Sequence, residues 1–227
     1  MSSIELKIDW CSHEAAEFAV KNWHYSRTMP KSKLAKFGVW ENKKFIGAVI
    51  YGCGATRALV KSYGLHPTEG CELVRVALTK HDSQVSKILS ITLRLLRKKY
   101  PKLKLVVSFA DPNEGHHGGI YQASNWIFTG RTTSSDEYVF KGKRWHGRAF
   151  RLSHGSHKNY LDKGLKIKKG SSKYRYIFIL DQSLREKIEK QAKQYPKRAQ
   201  SKESVAPANH AGESGANPTS AHNEKAA

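Results

Sequence analysis

Alternating and continuous hydrophobic runs predict a chain built largely of short strands up to about residue 180. Residues 4–9 alternate between apolar and polar, which is typical of a strand with one buried face. Apolar runs at 36–41 and 44–52 are separated by Asn42-Lys43, a pair that favours a tight hairpin turn. Other apolar runs bounded by turn residues predict strands at 71–79, 103–108, 126–131, 137–140, 145–152 and 174–180.

Helices are predicted between and after these strands. They cover 13–23, 84–100, about 118–124, and a charged segment that ends near Tyr195-Pro196. Pro101 ends the longest of them. The segment 55–70 is predicted to be a loop. Side chains that can cap a helix start are Ser12 for the first helix, Asp82 or Ser83 for the second, and Asp181 or Ser183 for the last.

The order of these elements predicts a mixed α/β (α+β) fold, with a mostly antiparallel central sheet flanked by helices and a basic C-terminal β extension. We divide the chain into a core at 1–140, a basic extension packed on it at 141–195, and a tail at 196–227. The tail is rich in Ala, Ser and Asn and poor in aromatic and branched aliphatic residues, so we expect it to be disordered.

The formal net charge of +21 favours a polyanionic partner, most simply nucleic acid, with an anionic membrane surface or a small anionic substrate as alternatives. Residues 141–175 contain twelve Lys or Arg and one acidic residue, interleaved with aromatic side chains. This mixture suits phosphate contacts and base stacking, although a solvated loop with inward-facing aromatics would have the same composition. The predicted DNA contacts are Arg27, Lys143, Arg144, His146, Arg148, Arg151, Lys173 and Arg175.

No apolar run is long enough to span a membrane, and the first ten residues carry acids and lack an apolar signal core. The three cysteines, Cys11, Cys53 and Cys71, have no CxxC spacing, which favours a reducing compartment. We therefore expect a cytoplasmic protein with no membrane partner. The oligomeric state is open, and a dimer is compatible with the sequence.

The segment 109–126 concentrates reactive side chains directly after the predicted strand 103–108. Loops at the ends of buried strands are where α/β proteins place chemistry. Asp111 could accept a proton or orient a substrate amine, or it could start a turn before Pro112. Tyr121 could donate a proton, or it could be a core tyrosine.

A second polar group, His24-Tyr25-Ser26-Arg27, follows the first predicted helix, and we expect His24 and Tyr25 to belong to a site. Arg75 is a charge inside an apolar strand, so it needs either an acidic partner such as Glu72 or a phosphate. Imidazole and carboxylate groups also suit iron or zinc. The candidate metal ligands are His24, Asp111, His116 and His117.

The element order resembles the acyl-CoA-dependent N-acetyltransferase (GNAT) superfamily. In that fold the strands before and after the long helix separate, the donor's pantetheine lies between them, and its pyrophosphate binds the start of that helix. The resemblance implies a GNAT-like fold, acetyl-CoA as donor, and a phosphate loop at 79–86, which contains no glycine. The implied cofactor-binding residues are Arg75, Lys80, Ser83, Gln84 and Tyr121, the last also as the acid that protonates the leaving thiolate.

More specific motifs are Asn22-Trp23-His24-Tyr25-Ser26-Arg27, Glu72-Leu73-Val74-Arg75, Phe109-Ala110-Asp111-Pro112 through Asn125-Trp126, His146-Gly147-Arg148 and Lys173-Tyr174-Arg175-Tyr176. With these motifs, residues 10–180 resemble the phage Mom family. Its members have a GNAT-like core and add a carbamoylmethyl (acetamido) group to adenine N6 in double-stranded phage DNA, which blocks host restriction. The resemblance implies a phage or prophage enzyme acting on double-stranded DNA, with iron associated with the family and the source of the acetamide nitrogen open. The catalytic residues it implies are Asp111, Tyr121, His24 and Tyr25.

Two other classes of function stay open at this point. One is a GNAT that acetylates a protein or a small molecule and uses its charge to bind an acidic partner. The other is a non-catalytic nucleic-acid-binding protein in which the loop 111–121 is structural. We favour the DNA-modifying transferase, because a pure binder does not need an acid, two histidines and a tyrosine at a strand end.

Overall fold

A computed structural model describes residues 4–54, 58–134 and 136–197, and places most strands in one seven-stranded sheet. The predicted tail lies outside these residues, apart from its first two positions. The sheet has the order β1-β2-β3-β4-β5-β10-β6. Its strands are β1 (Leu6–Trp10), β2 (Ala35–Glu41), β3 (Lys44–Gly52), β4 (Gly70–Leu78), β5 (Leu105–Ala110), β6 (Ile127–Arg131) and β10 (Tyr174–Ile179).

A second, three-stranded sheet has the order β8-β7-β9. It contains β7 (Asp136–Phe140), β8 (Lys143–His146) and β9 (Lys166–Lys169). The helices are α1 (His13–Trp23), α2 (Val85–Lys99), α3 (Gly119–Gln122), α4 (Gly147–His154) and α5 (Arg185–Glu189). None of the helices in the described part of the chain has the length and apolar character needed to cross a membrane.

The predicted hairpin between β2 and β3 is confirmed. Asn42 and Lys43 both have positive φ, +49° and +66°, which is the geometry of the two-residue turn that matches strand twist. Ser12 caps α1 as predicted, because its side-chain oxygen accepts from the backbone N–H of Ala15 at 3.1 Å. Local sequence signals are sufficient at both places.

The pairing of β4 with β5 is parallel, whereas the other strand pairs in the described part of the chain are antiparallel. It extends only from Gly70↔Leu105 to Leu73↔Ser108. Beyond that point β4 continues to Leu78 without β5, so the two strands separate and leave a gap in the sheet. The mixed, mostly antiparallel sheet flanked by helices confirms the expected fold class. The gap lies between the strand before the long helix and the strand after it, which are the two strands that the resemblance predicts to separate.

Helix α2 covers one face of the sheet beside this gap. Its buried side chains follow helical spacing, and each stabilises the fold by about 1.5–3 kcal/mol relative to an exposed position. They are Ile88, Leu89, Leu93 and Leu96. The helix begins one residue later than predicted, with Gln84 at the N-cap and no side-chain cap, so neither Asp82 nor Ser83 caps it.

The predicted strand at 145–152 is wrong over most of its length, since β8 ends at His146 and α4 follows directly. A short apolar run does not distinguish a strand from a buried helix. Here α4 packs on the small sheet and buries the rings of Tyr138 and Phe140. Its fully buried Phe150 packs edge-on against both rings.

The predicted C-terminal helix is much shorter than expected. Asp181 accepts from the N–H of Ser183 and caps a 3₁₀ turn, α5 follows, and the helix stops at Glu189. Beyond it, the N–H of Lys193 donates to Phe128 O at 2.8 Å and the hydroxyl of Tyr195 donates to Trp126 O at 2.5 Å. These contacts with β6 replace the helical hydrogen bonds.

The division into two sheets does not follow the expected boundary at 140/141. Strand β10, assigned to the extension, lies between β5 and β6 in the main sheet, and β7, assigned to the core, belongs to the small sheet. The predicted loop at 55–70 contains two 3₁₀ turns and buries Val60 and Tyr63, while 55–57 lie outside the described residues.

Candidate functional site

A cavity of about 620 Å³ opens where β4 and β5 separate. It brings together three segments that are far apart in the chain: the turn after α1, the end of β4, and the loop that follows β5. Its walls combine apolar strand residues with histidine, tyrosine and arginine side chains, the composition expected of a binding site. The lining includes His24, Tyr25, Arg75, His81, His116, His117 and Tyr121.

The His24 side chain has its hydrogen-bonding roles fixed by the turn it occupies. Its Nδ1 atom accepts from the backbone N–H of Ser26 at 3.1 Å and lies 2.9 Å from the Ser26 hydroxyl oxygen. Because a backbone N–H can only donate, Nδ1 carries no hydrogen and Nε2 does. Burial, together with the nearby charges of Arg75 and His116, lowers the pKa of His24 to about 4. His24 is therefore a neutral N–H donor at physiological pH.

Arg75 attaches this turn to the sheet. Its guanidinium donates to the carbonyl oxygen of Thr28 from Nε and Nη2, at 3.3 and 3.1 Å, and to that of Val74 from Nη1 at 2.8 Å. The carbonyl groups thus take up three of its N–H donors, and burial lowers the pKa of Arg75. These carbonyl contacts were not among the alternatives predicted for Arg75, and Glu72, the acidic partner considered there, interacts with it electrostatically and acts to raise its pKa.

Tyr25 lies at the mouth of the cavity with 49% of its surface exposed. Its ring centroid is 4.3 Å from that of His24, with a 30° angle between the planes, and 5.4 Å from that of His116 in an edge-on arrangement. The two imidazoles hold the aromatic ring in place while much of its surface stays accessible. This is a suitable platform for stacking a planar ligand.

Tyr121 forms part of the cavity wall and is almost fully buried. Its hydroxyl lies 2.8 Å from that of Ser108, which in turn donates to Leu73 O at 3.0 Å, so Tyr121 donates to Ser108. Burial raises the pKa of Tyr121 to about 12, so the phenol stays protonated. The Tyr121 ring also stacks on Tyr176, with centroids 4.7 Å apart.

Asp111 is held away from the cavity, whose lining does not include it. Its carboxylate contacts Lys173 Nζ at 3.1 Å and accepts from the Ser171 hydroxyl and the Asn113 N–H. Partial burial acts to raise the pKa of Asp111, but these contacts, led by Lys173, lower it below its ordinary value. In this arrangement Asp111 links the loop after β5 to the start of β10.

The residues expected to bind the donor are divided among separate cavities, and of these Arg75 and Tyr121 line the cavity between β4 and β5. The backbone N–H groups of Asp82 and Ser83 donate to the carboxylate of Glu41, and so does the Ser83 hydroxyl. Lys80 lines a separate cavity of about 420 Å³, and Gln84 a third cavity of about 780 Å³. The amide groups and hydroxyl predicted for a phosphate are therefore already bound to an internal anion.

A sequence model described as the Mom protein family matches residues 5–197. The chain belongs to the Mom family. The methylcarbamoylase mom of Escherichia phage Mu is 28% identical over 206 residues, which is 82% of this chain and 80% of that protein.

Two solved structures were also similar to this Mom family member. A GNAT family acetyltransferase from Elizabethkingia anophelis, with acetyl-CoA bound, is 11% identical, covering 77% of this chain and 98% of its own, with a TM-score of 0.39. An acetyltransferase candidate from Acinetobacter baylyi ADP1 is 13% identical, covering 87% of this chain and 99% of its own, with a TM-score of 0.43.

Some of the DNA-binding side chains predicted for this Mom family member have partners within the fold, and others are exposed. Lys173 pairs with Asp111, and Arg175 donates to the hydroxyl and carbonyl of Thr129, so both have partners within the fold. Lys143 lies 4.3 Å from the ring centroid of Trp145 on the small sheet. Arg27 and Arg151 are exposed. The side chains of Arg144, His146 and Arg148 lie outside the described part of the structure.

The four candidate metal ligands do not form a metal site within the described residues, where no group of three or more His, Cys, Asp or Glu side chains is suitably placed. Two of them have other roles, because His24 Nδ1 accepts from Ser26 and the Asp111 carboxylate binds Lys173. His116 and His117 line the cavity, and His116 packs against Tyr25.

Sequence reasoning missed His81, which lines both the cavity at the strand gap and the smaller one beside Glu41. Its Nδ1 atom is buried and has no hydrogen-bond partner among the described residues. A polar atom in that state is suited to a ligand. Its position, three residues after the strand that borders the gap, was the available signal.

Proposed function

We propose that this protein transfers a carbamoylmethyl group to the N6 amine of adenine in double-stranded DNA, within the bacterial host cytoplasm. Its membership of the Mom family and its similarity to the methylcarbamoylase of phage Mu support a transfer of this kind. The observation that carries the proposal is the cavity between β4 and β5, in which the first polar motif and the loop after β5 meet.

The chemistry of the acceptor explains why such a cavity would be needed. The lone pair of adenine N6 is delocalised into the ring, and the amine is paired inside the duplex. The base must therefore leave the stack and enter a pocket before it can react. A cavity of about 620 Å³ with an exposed aromatic ring at its mouth has the size and chemistry for an extruded purine.

We assign roles to three of the lining residues. Tyr25 stacks on the extruded base. His24 donates a hydrogen bond through Nε2, either to a ring nitrogen of adenine or to the oxygen of the incoming carbonyl group. The Tyr121–Ser108 pair shapes the inner wall, and its protonated phenol can donate only by giving up its bond to Ser108. Asp111 and Lys173 act indirectly, by holding the loop that carries His116 and His117.

We further propose that the basic small sheet and its flanking loops bind the DNA backbone. The net charge of +21 supports this, as do the exposed lysines of β9. Two amide groups of the predicted phosphate loop, those of Asp82 and Ser83, bind Glu41 and are not available to the pyrophosphate of acetyl-CoA.

The proposal is tested by mass spectrometry of nucleosides from plasmid DNA after expression of the protein. We expect a modified deoxyadenosine with the mass of the carbamoylmethyl adduct, and its loss with Tyr25→Ala. The matched control is Phe18→Ala, which removes another half-exposed aromatic ring, on α1 and outside the cavity. An unmodified adenine pool with the wild-type protein contradicts the proposed function.

A further inference from the structure

Glu41 ends β2 at the hairpin turn, and its side chain extends to the segment that precedes α2. Oε1 accepts from the N–H of Asp82 at 3.1 Å, and Oε2 accepts from the N–H of Ser83 at 2.8 Å. The hydroxyl of Ser83 donates to the same Oε2 atom. One carboxylate therefore binds two consecutive amide groups and a hydroxyl, the donor set by which such segments bind a phosphate.

The strands on both sides fix this arrangement. Glu41 pairs with Leu6 of β1 and with Lys44 of β3, which limits how far its backbone can move. The other side is anchored where the N–H of Thr79 donates to Ile46 O at 2.9 Å. Ser83 is buried. The contact is thus part of the fold, and a flexible surface side chain would not satisfy three donors at once.

Glu41 is also an anion at neutral pH. The hydroxyl of Ser83 and the N–H groups of Asp82 and Ser83 lower its pKa, and His81 adds a smaller effect in the same direction. The adjoining cavity contains a second carboxylate, Asp82, besides the cations Lys44 and Lys80. A phosphate entering here would meet a fixed negative charge on the donors that it needs.

We propose that Glu41 determines donor specificity by occupying the amide groups of Asp82 and Ser83, so that the protein does not anchor a donor through a pyrophosphate at this segment before α2. Donors of the coenzyme A type are thereby disfavoured, and the donor's remaining contacts come from the cavity between β4 and β5. The inference deepens the proposed function, on which it rests for the existence of a donor.

Isothermal titration of the full chain with coenzyme A tests this proposal. We expect no saturable binding below the millimolar range for the wild type, and at least a tenfold gain in affinity for Glu41→Gln. The control is Glu17→Gln on α1, which removes one negative charge from an exposed ion pair with Lys21 and should leave the affinity unchanged. Micromolar binding by the wild type, no gain with Glu41→Gln, or an equal gain with the control each overturns the proposal.

A second measurement keeps the test decisive if Glu41→Gln does not fold. Inorganic pyrophosphate is titrated into the ¹⁵N-labelled wild type, and the amide resonances of Asp82 and Ser83 are followed. We expect both to stay unshifted, and a saturable shift of either one overturns the proposal. Both readouts are independent of DNA modification, so an unmodified adenine pool would remove the proposed function and leave this result standing.

Discussion

His24 shows how a local turn can set the protonation of a site residue. The Ser26 N–H fixes the hydrogen of the imidazole on Nε2, and burial, together with Arg75, which binds the same turn through Thr28, opposes a second proton. The chemical role of the ring is thus decided by backbone geometry, by burial and by neighbouring charge. A histidine in this state donates a hydrogen bond without acting as a base.

A pH dependence of stability follows from this environment. The pKa of His24 is about 4 in the folded protein and near 6.5 when unfolded, so between those values the unfolded chain binds the proton more readily. Stability is therefore lost as the pH falls from about 6.5 towards 4. We expect His24→Gln, whose amide oxygen can still accept from Ser26, to lose less melting temperature over this range than the wild type.

Thermal melts between pH 7.5 and 4.5 measure this difference. His13→Gln, at the start of α1 and outside the cavity, is the control and should follow the wild type. Parallel curves for the wild type and His24→Gln would show that His24 is protonated at the same pH in the folded and unfolded states.

Asp111 illustrates how a residue that sequence identifies as catalytic can act through structure. If its main task is to hold the loop after β5, removing either member of its ion pair should have similar effects. We expect Asp111→Ala and Lys173→Met to destabilise the protein by about 1–3 kcal/mol each and to lower DNA modification to a similar extent. Chemical denaturation and nucleoside mass spectrometry provide the two readouts.

The result separates the two roles of Asp111. Loss of modification with Asp111→Ala, together with near-normal modification in Lys173→Met, would restore Asp111 to the catalytic residues. The sequence could identify Asp111 as polar and close to a strand end. It could not show that the pairing of β10 with β5 brings Lys173, 62 positions later and just before β10, to the carboxylate of Asp111.

At the scale of elements, the small sheet depends on one helix. Phe150 of α4 is fully buried and packs against the rings of Tyr138, Phe140 and Tyr160 in a cluster separate from the main core. We expect Phe150→Ala to destabilise this unit by about 3–5 kcal/mol and to reduce affinity for duplex DNA at least tenfold. The main sheet should be unaffected.

Hydrogen exchange and fluorescence anisotropy with a labelled duplex measure the two effects. Amide groups of β7, β8 and β9 should lose protection in Phe150→Ala, while those of β2 to β5 keep it. Leu152→Ala, two residues along the same helix but 78% exposed, is the matched control. Equal protection in the two variants would mean that Phe150 does not hold the small sheet together.

Elements with local signals were predictable from sequence, and elements set by distant contacts were not. The α1 cap at Ser12 and the turn at Asn42-Lys43 depend on neighbouring residues alone. The contact of Glu41 with Ser83 joins residues 42 positions apart, and neither residue has a motif that indicates the other. Helix α4 follows β8 directly, but the burial of its Phe150 depends on the rings of Tyr138 and Phe140, 12 and 10 positions earlier.

At the scale of the whole molecule, the charge of +21 must be located before it explains binding. Two triplets of exposed basic residues can be compared to locate the charge that binds DNA. One lies on the edge strand β9 and the other at the end of α2. We expect replacement of the β9 lysines by glutamine to reduce the slope of log K against log salt by about 3, because each phosphate contact contributes close to one unit. The triplets are Lys166, Lys168 and Lys169, and Arg97, Lys98 and Lys99.

Anisotropy titrations from 50 to 200 mM salt give the slopes. The α2 triplet is the control, and its replacement should leave the wild-type slope in place. A larger change in slope with the α2 triplet than with the β9 triplet would show that DNA binds at the long helix and not at the small sheet.

The path of the chain through the two sheets has a consequence for its synthesis. Arg131 and Tyr174 lie opposite each other on β6 and β10. The chain therefore leaves the main sheet after Arg131 and returns to it beside the same residue, at Tyr174. Strand β10 is the hydrogen-bonded partner of both β5 and β6. Until it emerges from the ribosome, β5 has an open edge and β6 has no strand beside it, the condition in which nascent sheets join wrong partners. The last strand of the sheet to be translated is the one that closes it, after the small sheet has already left the ribosome.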